Sequence, residues 1–351
     1  MADKPYTFIA IDVLRAIAAL GVFFYHQHLG AILAKYSGIA FIKSIDNFGA
    51  TYAVPLFFLI SGYCIHLSSL KYLRAGVQLP LKAYYKRRLL RIYPPYLVAL
   101  LFAIAVNYFT YGHYPSLTDF ITHIFVLQGF NATYFNTINV VLWTITIEIA
   151  FYLIYPLFYY IWFKNSSKFA LVCTFIVSSL STLYFSFKPS VSLPEHFFVL
   201  NFWFVWCWGA YLADKTVYKT TDTSFKLING IIILAFIILK VFPNSLFILS
   251  DQVNVLIWTI PLLLILSKED WLKRHSNLII RTIRYIGLSS YSLYLVHEPL
   301  ITLKNYLAHQ FLPQSLQLTG VVLGTIFIPI ITWYTYHYIE EPFATRKRII
   351  G

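Results

Sequence analysis

The polar and apolar positions of this chain fall into long blocks. Apolar runs of about twenty residues recur along its whole length, and short polar segments separate them. As a helix, a run of this length crosses a hydrocarbon core of roughly 30 Å. The pattern therefore predicts an all-α, polytopic integral membrane protein of about ten transmembrane helices. The predicted spans are 8–28, 50–69, 94–112, 140–163, 169–187, 197–213, 227–242, 253–267, 285–307 and 318–339.

Two segments, 113–139 and 8–28, differ from the regular pattern of spans or resemble another kind of segment. Segment 113–139 contains an apolar stretch, 120–130, that is too short to cross, so we expect it to lie at the interface or to re-enter the bilayer. The first run, 8–28, lacks a small-residue cleavage site, which favours a spanning helix over a signal peptide. No polar stretch is long enough for a soluble domain. We therefore expect residues 1–351 to form a single transmembrane domain with no appended soluble domain.

The charges of the chain indicate how it crosses the membrane. Only 12% of the residues are charged and 59% are hydrophobic, with a net charge of +13. The predicted spans leave 21 lysines and arginines on one side and five on the other. The positive-inside rule therefore predicts that both termini are cytoplasmic. Because the basic residues lie in short segments between spans, they favour contact with membrane lipids over a nucleic-acid partner.

Helix one carries two residues that are costly in a bilayer, Arg15 and His26. Eleven residues apart, they share one helical face at a separation of roughly 16 Å along the axis. Taken separately, Arg15 can be an anchor at a helix end neutralised by Asp12, and His26 can form an interhelical hydrogen bond. Together they favour a polar path through the protein, because intramembrane ionisable groups usually line a functional cavity.

Two further polar stripes occur at helical spacing. On the fourth predicted helix Glu148 is followed by Tyr152 and Tyr155, and on the ninth the stripe is Ser290, Tyr294 and His297. A carboxylate in lipid costs several kcal/mol unless it is neutralised or paired. Glu148 therefore either ties helices together or acts beside a histidine. The ninth-helix stripe is explained equally well by a packed polar seam and by a substrate-binding wall.

A basic segment precedes the third predicted span. Three arginines lie close together in this predicted cytoplasmic loop: Arg87, Arg88 and Arg91. They can be a topology signal that also binds anionic lipid. Arginines also make bidentate contacts with phosphates, which favours a phosphorylated cofactor entering from the cytoplasm.

Metal and redox chemistry receive little support from the sequence. His26 and His28 have metal-like spacing, but a helix points their imidazoles about 200° apart. The sequence has no HExxH, P-loop, GxGxxG or GxSxG motif, and we expect no metal. The three cysteines lie in apolar runs, where we expect packing roles and no disulfide framework: Cys64, Cys173 and Cys207.

The motifs together resemble those of the acyltransferase-3 family of integral-membrane O-acyltransferases. Asp12, Leu14, Arg15 and His26 are similar to the opening of that family. Residues 57–63 (FFLISGY) resemble its second-helix pattern. The same order continues through Arg88, Arg91, Pro94 and Tyr96, the segment 143–152, the segment 290–297 and the closing residues 340–343 (EEPF).

The resemblance implies transfer of an acyl group, commonly acetyl from cytoplasmic acetyl-CoA, to a hydroxyl of a cell-envelope glycan or lipid-linked sugar. It also implies that Arg15 and His26 are needed for activity and that Arg88 and Arg91 serve the acyl-CoA. We expect a multi-pass protein of the bacterial cytoplasmic (inner) membrane. Some relatives carry an esterase-like domain, and without one this chain finishes the transfer itself or uses a separate extracytoplasmic transfer protein.

The resulting hypothesis assigns a role to each candidate residue. The acyl-CoA phosphates bind Arg88, Arg91 and Arg87, and the pantetheine arm passes Arg15. His26 acts as general base or carries the acyl group, and Glu148 orients or charge-balances it. We expect four polar side chains of the motifs to bind substrate: Ser61, Tyr152, Tyr294 and His297.

Two alternatives stay open at this stage. One is a proton-coupled transporter or flippase that uses Arg15, His26 and Glu148 as a relay. The other is a membrane scaffold, in which these residues could be replaced without loss of a chemical activity.

Overall fold

A computed structural model describes residues 8–218, 230, 233–234 and 247–345. All regular structure in these ranges is helical. The helices are α1 (Ile9–His26), α2 (Leu29–Ser37), α3 (Ser44–Phe48), α4 (Val54–Arg74), α5 (Leu81–Tyr111), α6 (Leu117–Ile124), α7 (Trp143–Lys164), α8 (Ser167–Ser186), α9 (Leu193–His196), α10 (Trp203–Tyr218), α11 (Phe247–Ile257), α12 (Thr259–Ser267), α13 (Glu269–Arg274), α14 (Leu278–Leu288), α15 (Ser290–Phe311), α16 (Gln314–Thr335) and α17 (Glu341–Thr345). Single π-helical turns join α3 to α4 and α16 to α17, at Gly49–Ala53 and Tyr336–Glu340.

Seven helical stretches within the described ranges are long and apolar enough to cross a membrane. They are Ile9–His26, Ala40–Arg74, Leu81–Tyr111, Trp143–Lys164, Ser167–Ser186, Leu193–Val217 and Gln314–Ala344. The structure thus confirms an all-helical, multi-pass membrane protein. The total of ten spans and the cytoplasmic placement of both termini stay predictions.

The three remaining predicted spans differ in what the structure shows. Span 227–242 lies almost wholly outside the described residues. Span 253–267 falls on a shorter apolar helical stretch, Gln252–Ser267. Span 285–307 falls largely on α15, which has 22 residues and carries His297, Glu298 and Lys304 among its apolar positions. Helix α15 is not among the seven stretches, and its His297 and Lys304 side chains are buried against the protein.

The basic segment before the third predicted span is helical, so its assignment as a loop was wrong. Helix α5 begins at Leu81 and continues unbroken through Pro94 and Pro95 to Tyr111. The predicted span 94–112 covers only the apolar C-terminal part of this helix. Membrane helices tolerate internal prolines when neighbouring groups satisfy the freed backbone carbonyls. Arg87, Arg88 and Arg91 are therefore held on the rigid first turns of a long helix.

At two helix crossings a glycine lets the two backbones come into direct contact. A Cβ added at Gly62 of α4 would lie 1.9 Å from the Trp206 carbonyl oxygen of α10, so these two backbones are in direct contact. At Gly287 of α14 an added Cβ would lie 1.8 Å from the Asp12 carbonyl oxygen of α1. Small residues commonly permit such close approach in membrane proteins. The crossings fix α4 against α10 and α1 against α14.

Helix α1 lies among α4, α14 and α15, and a distant residue caps its first turn. The Glu269 carboxylate accepts hydrogen bonds from the backbone amides of Ile9 and Ala10, at 3.0 and 2.9 Å. These amides belong to the first turn, where a helix has no internal acceptors, and a carboxylate there also complements the helix dipole. The cap fixes the start of the helix that carries Arg15 and His26.

Segment 113–139 forms no helix long enough to span, as predicted. It contains the short helix α6 and a single 3₁₀ turn at Gln128–Phe130. Two tyrosine hydroxyls of α5 donate to backbone carbonyls at the C-terminal end of α6. Tyr93 bonds the Ile124 carbonyl, and Tyr96 bonds the His123 carbonyl. The segment is thereby fastened to the bundle.

Candidate functional site

A cavity of about 140 Å³ lies between α1, α4, α5, α7 and α15. Cavities of this size hold a benzene-sized molecule. Five of its lining residues are arginines or glutamates: Arg15, Arg88, Arg91, Glu148 and Glu340. With these groups ionised, three positive and two negative charges give the wall a net charge of +1. The cavity therefore favours an anionic ligand or a group that develops negative charge.

Glu148 is the centre of a hydrogen-bonded network on one wall of the cavity. Its carboxylate accepts from the Ser61 hydroxyl at 2.5 Å and from the Tyr152 hydroxyl. The indole nitrogen of Trp206 donates to Ser61 at 3.1 Å. Three helices, α4, α7 and α10, thus hold one carboxylate in place. The predicted pair Glu148 and Tyr152 is confirmed, but Tyr155 turns away and its hydroxyl bonds the buried His66 at 3.0 Å.

The arginines of α5 separate into cavity and non-cavity residues. Arg88 donates to the Ser68 hydroxyl at 3.1 Å, and its guanidinium lies over the rings of Tyr84 and Tyr152 at 5.8 and 6.0 Å. Arg91, one turn further on, also lines the cavity. Arg87 points elsewhere, towards the Tyr72 hydroxyl, and does not line the cavity. The helical period explains the difference, because Arg88 and Arg91 are three residues apart and share a face.

Arg15 faces the cavity from α1. One guanidinium nitrogen lies 3.3 Å from the Cys64 sulfur, and another lies 3.9 Å from Asp12. The predicted pairing with Asp12 is confirmed, and Asp12 also bonds Arg284 at 3.3 Å. Packing alone does not describe Cys64, since its thiol lines the cavity and contacts the Arg15 guanidinium. Nothing in the sequence around Cys64 indicates that contact.

Glu340 is a cavity residue to which sequence reasoning gave no role. It is 3% exposed and accepts from both the amide and the hydroxyl of Ser292, at 3.0 and 2.6 Å. The π-helical turn Tyr336–Glu340 positions it, and such turns are frequent at functional sites. The resemblance to the closing family motif, at 340–343, was the one available signal.

His26 is paired with a second histidine and not with Glu148. Its Nδ1 lies 2.9 Å from Nε2 of His297 on α15. The carboxylate beside it is Glu298, whose Oε1 lies 3.9 Å from the His26 Nε2. Glu148 instead bonds Ser61 and Tyr152, so the arrangement does not support Glu148 as the group that orients His26. Neighbouring positions on α15 supply both partners of the imidazole.

Tyr294 connects the cavity and the histidine pair. Its side chain lines the cavity, and its ring centroid lies 5.9 Å from that of His297. Its hydroxyl is engaged at 2.9 Å with Thr144 of α7. His26 and His297 themselves are not cavity-lining residues. The polar path predicted along helix one is therefore divided into a charged cavity at Arg15 and a histidine pair at His26, with Tyr294 between them.

Fold and site together define a multi-pass membrane protein with a buried, charged reaction or transport site. Residues 8–336 match the family model described as "Acyltransferase domain", and the chain belongs to this acyltransferase-3 family. The resemblance drawn from the motifs is confirmed. Membership gives the chain the class of an acyltransferase enzyme and does not favour the transporter alternative.

Two curated relatives illustrate the family. The chain is 25% identical to "O-acetyltransferase OatA" of Staphylococcus aureus (strain NCTC 8325 / PS 47), over 97% of this chain and 57% of that protein. It is 25% identical to "Peptidoglycan O-acetyltransferase OatA" of Listeria monocytogenes serovar 1/2a, over 95% of this chain and 55% of that protein. The chain therefore spans little more than half the length of these relatives. No solved structure shows a significant match.

Proposed function

We propose that this protein is an O-acetyltransferase of the bacterial cytoplasmic membrane that moves an acetyl group from acetyl-CoA to a hydroxyl of an envelope glycan. The names of the two relatives support the reaction, and the Listeria name supports peptidoglycan as the first acceptor to test. The excess of lysine and arginine on one side supports cytoplasmic termini and a cytoplasmic donor.

The observation that carries the proposal is the convergence of three arginines on a small cavity inside the helix bundle. Acyl-CoA is anionic, and arginine binds phosphate through paired N–H donors. The cavity of about 140 Å³ is too small for the nucleotide and suits the part of the pantetheine arm next to the phosphates. Arg88 and Arg91, on the first turns of α5, bind the phosphates nearest the thioester. Arg15 of α1 lines the same cavity and lies beside the pantetheine arm, which continues along α1 towards His26.

The proposed transfer step uses only the two substrates and side chains of this protein. His26 accepts the proton of the acceptor hydroxyl as that oxygen attacks the acetyl carbonyl. The carbon–oxygen ester bond forms, the carbon–sulfur bond breaks, and the proton passes from His26 to the departing CoA thiolate. Arg15 lies roughly 16 Å from His26 along α1, so it contacts the pantetheine arm of the donor and not the reacting carbonyl.

Glu148 has a supporting role in this scheme. Its carboxylate lies within electrostatic range of Arg88 and Arg91. It therefore holds the arginines in the cavity when no donor is bound. Tyr152 bonds Glu148 and lies under the Arg88 guanidinium, so it couples the two. Tyr294, between the cavity and His297, borders the route of the acetyl group.

The proposal is tested with purified protein in lipid vesicles, acetyl-CoA labelled in the acetyl group, and peptidoglycan fragments. We expect label on the glycan with wild-type protein and a loss of about 100-fold or more with His26→Ala, in line with removal of a general base. His275→Ala serves as the matched control, because His275 is an exposed histidine at the end of α13.

Two results would overturn the proposal. One is near wild-type transfer by His26→Ala. The other is the absence of labelled product with wild-type protein for every envelope glycan tested, combined with glycan flux across the vesicles that needs no acyl-CoA. The second result would restore the transporter reading.

A further inference from the structure

The histidine pair defines which nitrogens carry protons. Nδ1 of His297 lies 3.0 Å from the Leu293 carbonyl oxygen and 2.9 Å from the Tyr294 carbonyl oxygen. Carbonyl oxygens only accept hydrogen bonds, so this Nδ1 must carry a hydrogen. In a neutral imidazole the other nitrogen is then an acceptor. Nε2 of His297 therefore presents a lone pair.

The lone pair of His297 determines the state of His26. The His26 Nδ1 lies 2.9 Å from it and must donate. Neutral His26 is consequently protonated on Nδ1, and its free lone pair is on Nε2. The tautomer of a catalytic histidine is commonly set by the hydrogen bond that its other nitrogen makes.

The surroundings of the His26 Nε2 suit a proton acceptor. Within the part of the chain that the structure describes, the carboxylate beside it is Glu298, whose Oε1 lies 3.9 Å away, beyond hydrogen-bond distance. The lone pair is thus open to a substrate hydroxyl, and Glu298 faces the positive charge that forms when the proton arrives. His297 itself is buried at 1% exposure, packed between Phe23 and Tyr294, and has no free donor or acceptor for a substrate.

We infer that His297 is a positioning residue: its Nε2 accepts the Nδ1–H of His26 and thereby makes Nε2 of His26 the proton acceptor of the site. This replaces the substrate-binding role expected for His297 from the sequence. The catalytic consequence rests on the proposed acetyl transfer, whereas the tautomer itself is a property of the protein without substrate.

The tautomer is tested by nitrogen-15 NMR of histidine-labelled protein in lipid at a pH where the pair is neutral. The His26 signals are assigned by their loss in His26→Gln. In the wild type we expect a protonated Nδ1 and an unprotonated Nε2. In His297→Leu the hydrogen of His26 moves wholly or partly to Nε2. In His297→Gln the amide oxygen takes the place of the acceptor, and the wild-type pattern returns.

Kinetics with acetyl-CoA and peptidoglycan fragments add a second readout. We expect His297→Leu to lower kcat by about 100-fold with the KM for both substrates changed by no more than about threefold, and His297→Gln to recover most of that loss. His309→Gln is the control, since His309 is exposed and bonds Gln317. Melting curves establish that each variant is folded.

Several outcomes would overturn the inference. They are a wild-type His26 protonated on Nε2, a His26 pattern that His297→Leu leaves unchanged, and a raised KM at unchanged kcat in His297→Leu. The last result would restore substrate binding to His297. A wild-type protein with the expected tautomer and no transfer activity would instead contradict the proposed function and leave the histidine pair as described.

Discussion

Ser61 on α4 donates a hydrogen bond of 2.5 Å to Glu148 on α7, 87 positions away in the chain. The same hydroxyl accepts from Trp206 of α10. One small side chain thus joins three helices around a carboxylate inside the membrane domain. Buried polar networks of this kind stabilise a fold only while every member keeps its partner.

Removal of the Ser61 hydroxyl tests this network. In Ser61→Ala the Glu148 carboxylate keeps only Tyr152, and Trp206 loses its acceptor. We expect the free energy of unfolding to fall by about 1–3 kcal/mol, the cost of leaving buried polar groups unpaired. Unfolding in detergent, followed by tryptophan fluorescence, measures it. Ser267→Ala is the control because Ser267 is exposed and, among the described residues, its hydroxyl bonds only the Leu264 carbonyl. Equal stability of the two variants would contradict the network.

The first turns of α5 allow a comparison among neighbouring basic residues. Arg88→Gln and Arg91→Gln should each raise the KM for acetyl-CoA by about 10- to 100-fold, since a charge-assisted hydrogen bond contributes about 1.5–3 kcal/mol. Lys86→Gln and Arg87→Gln remove the same charge outside the cavity, and we expect changes of no more than about twofold. Steady-state kinetics measure the KM for acetyl-CoA of each variant. A similar KM increase in all four variants would mean that overall charge, and not the cavity, binds the donor.

Arg88→Lys separates charge from shape at the same position. Lysine keeps the positive charge but loses the planar group that lies over Tyr84 and Tyr152. We expect a KM for acetyl-CoA between those of the wild type and Arg88→Gln. A wild-type KM in Arg88→Lys would show that the stacked geometry is unimportant.

The thiol of Cys64 reports on occupancy of the cavity. Because it lines the cavity beside Arg15, alkylation by a maleimide should abolish transfer, and prior addition of acetyl-CoA should slow the reaction. Cys64→Ala removes only a weak acceptor, so we expect activity within about tenfold of the wild type and resistance to the reagent. The experiment uses a background in which Cys173 and Cys207 are alanine. Alkylation without loss of activity would place the donor elsewhere.

The crossing of α4 and α10 depends on a glycine. In Gly62→Ala the new methyl would lie 1.9 Å from the Trp206 carbonyl oxygen, which forces the helices apart. We expect a loss of about 3 kcal/mol or more in stability, and little folded protein in size-exclusion chromatography. Gly230→Ala is the control, since no atom of the described residues lies within 4 Å of its added methyl. Normal folding of Gly62→Ala would contradict this contact.

The sequence by itself determined the helical, membrane-spanning class and four of the five arginines and glutamates that line the cavity. A lipid-embedded chain must satisfy its backbone hydrogen bonds locally, so apolar length alone predicts the helices. The helical period then predicts which polar side chains share a face, as it did for Glu148 and Tyr152. Arg15 could be recognised because a charged side chain in lipid is costly. Arg88 and Arg91 could be recognised because clustered arginines suit phosphate contacts.

The tertiary structure decided which of these groups meet. His26 pairs with His297, 271 positions away, and its nearby carboxylate is Glu298 and not Glu148. Cys64 contacts Arg15, and Glu340 enters the cavity from a π-helical turn. The period of one helix says nothing about which face of another helix it contacts. Those contacts depend on close backbone crossings such as Gly62 with Trp206 and Gly287 with Asp12, which exist only once the helices have packed.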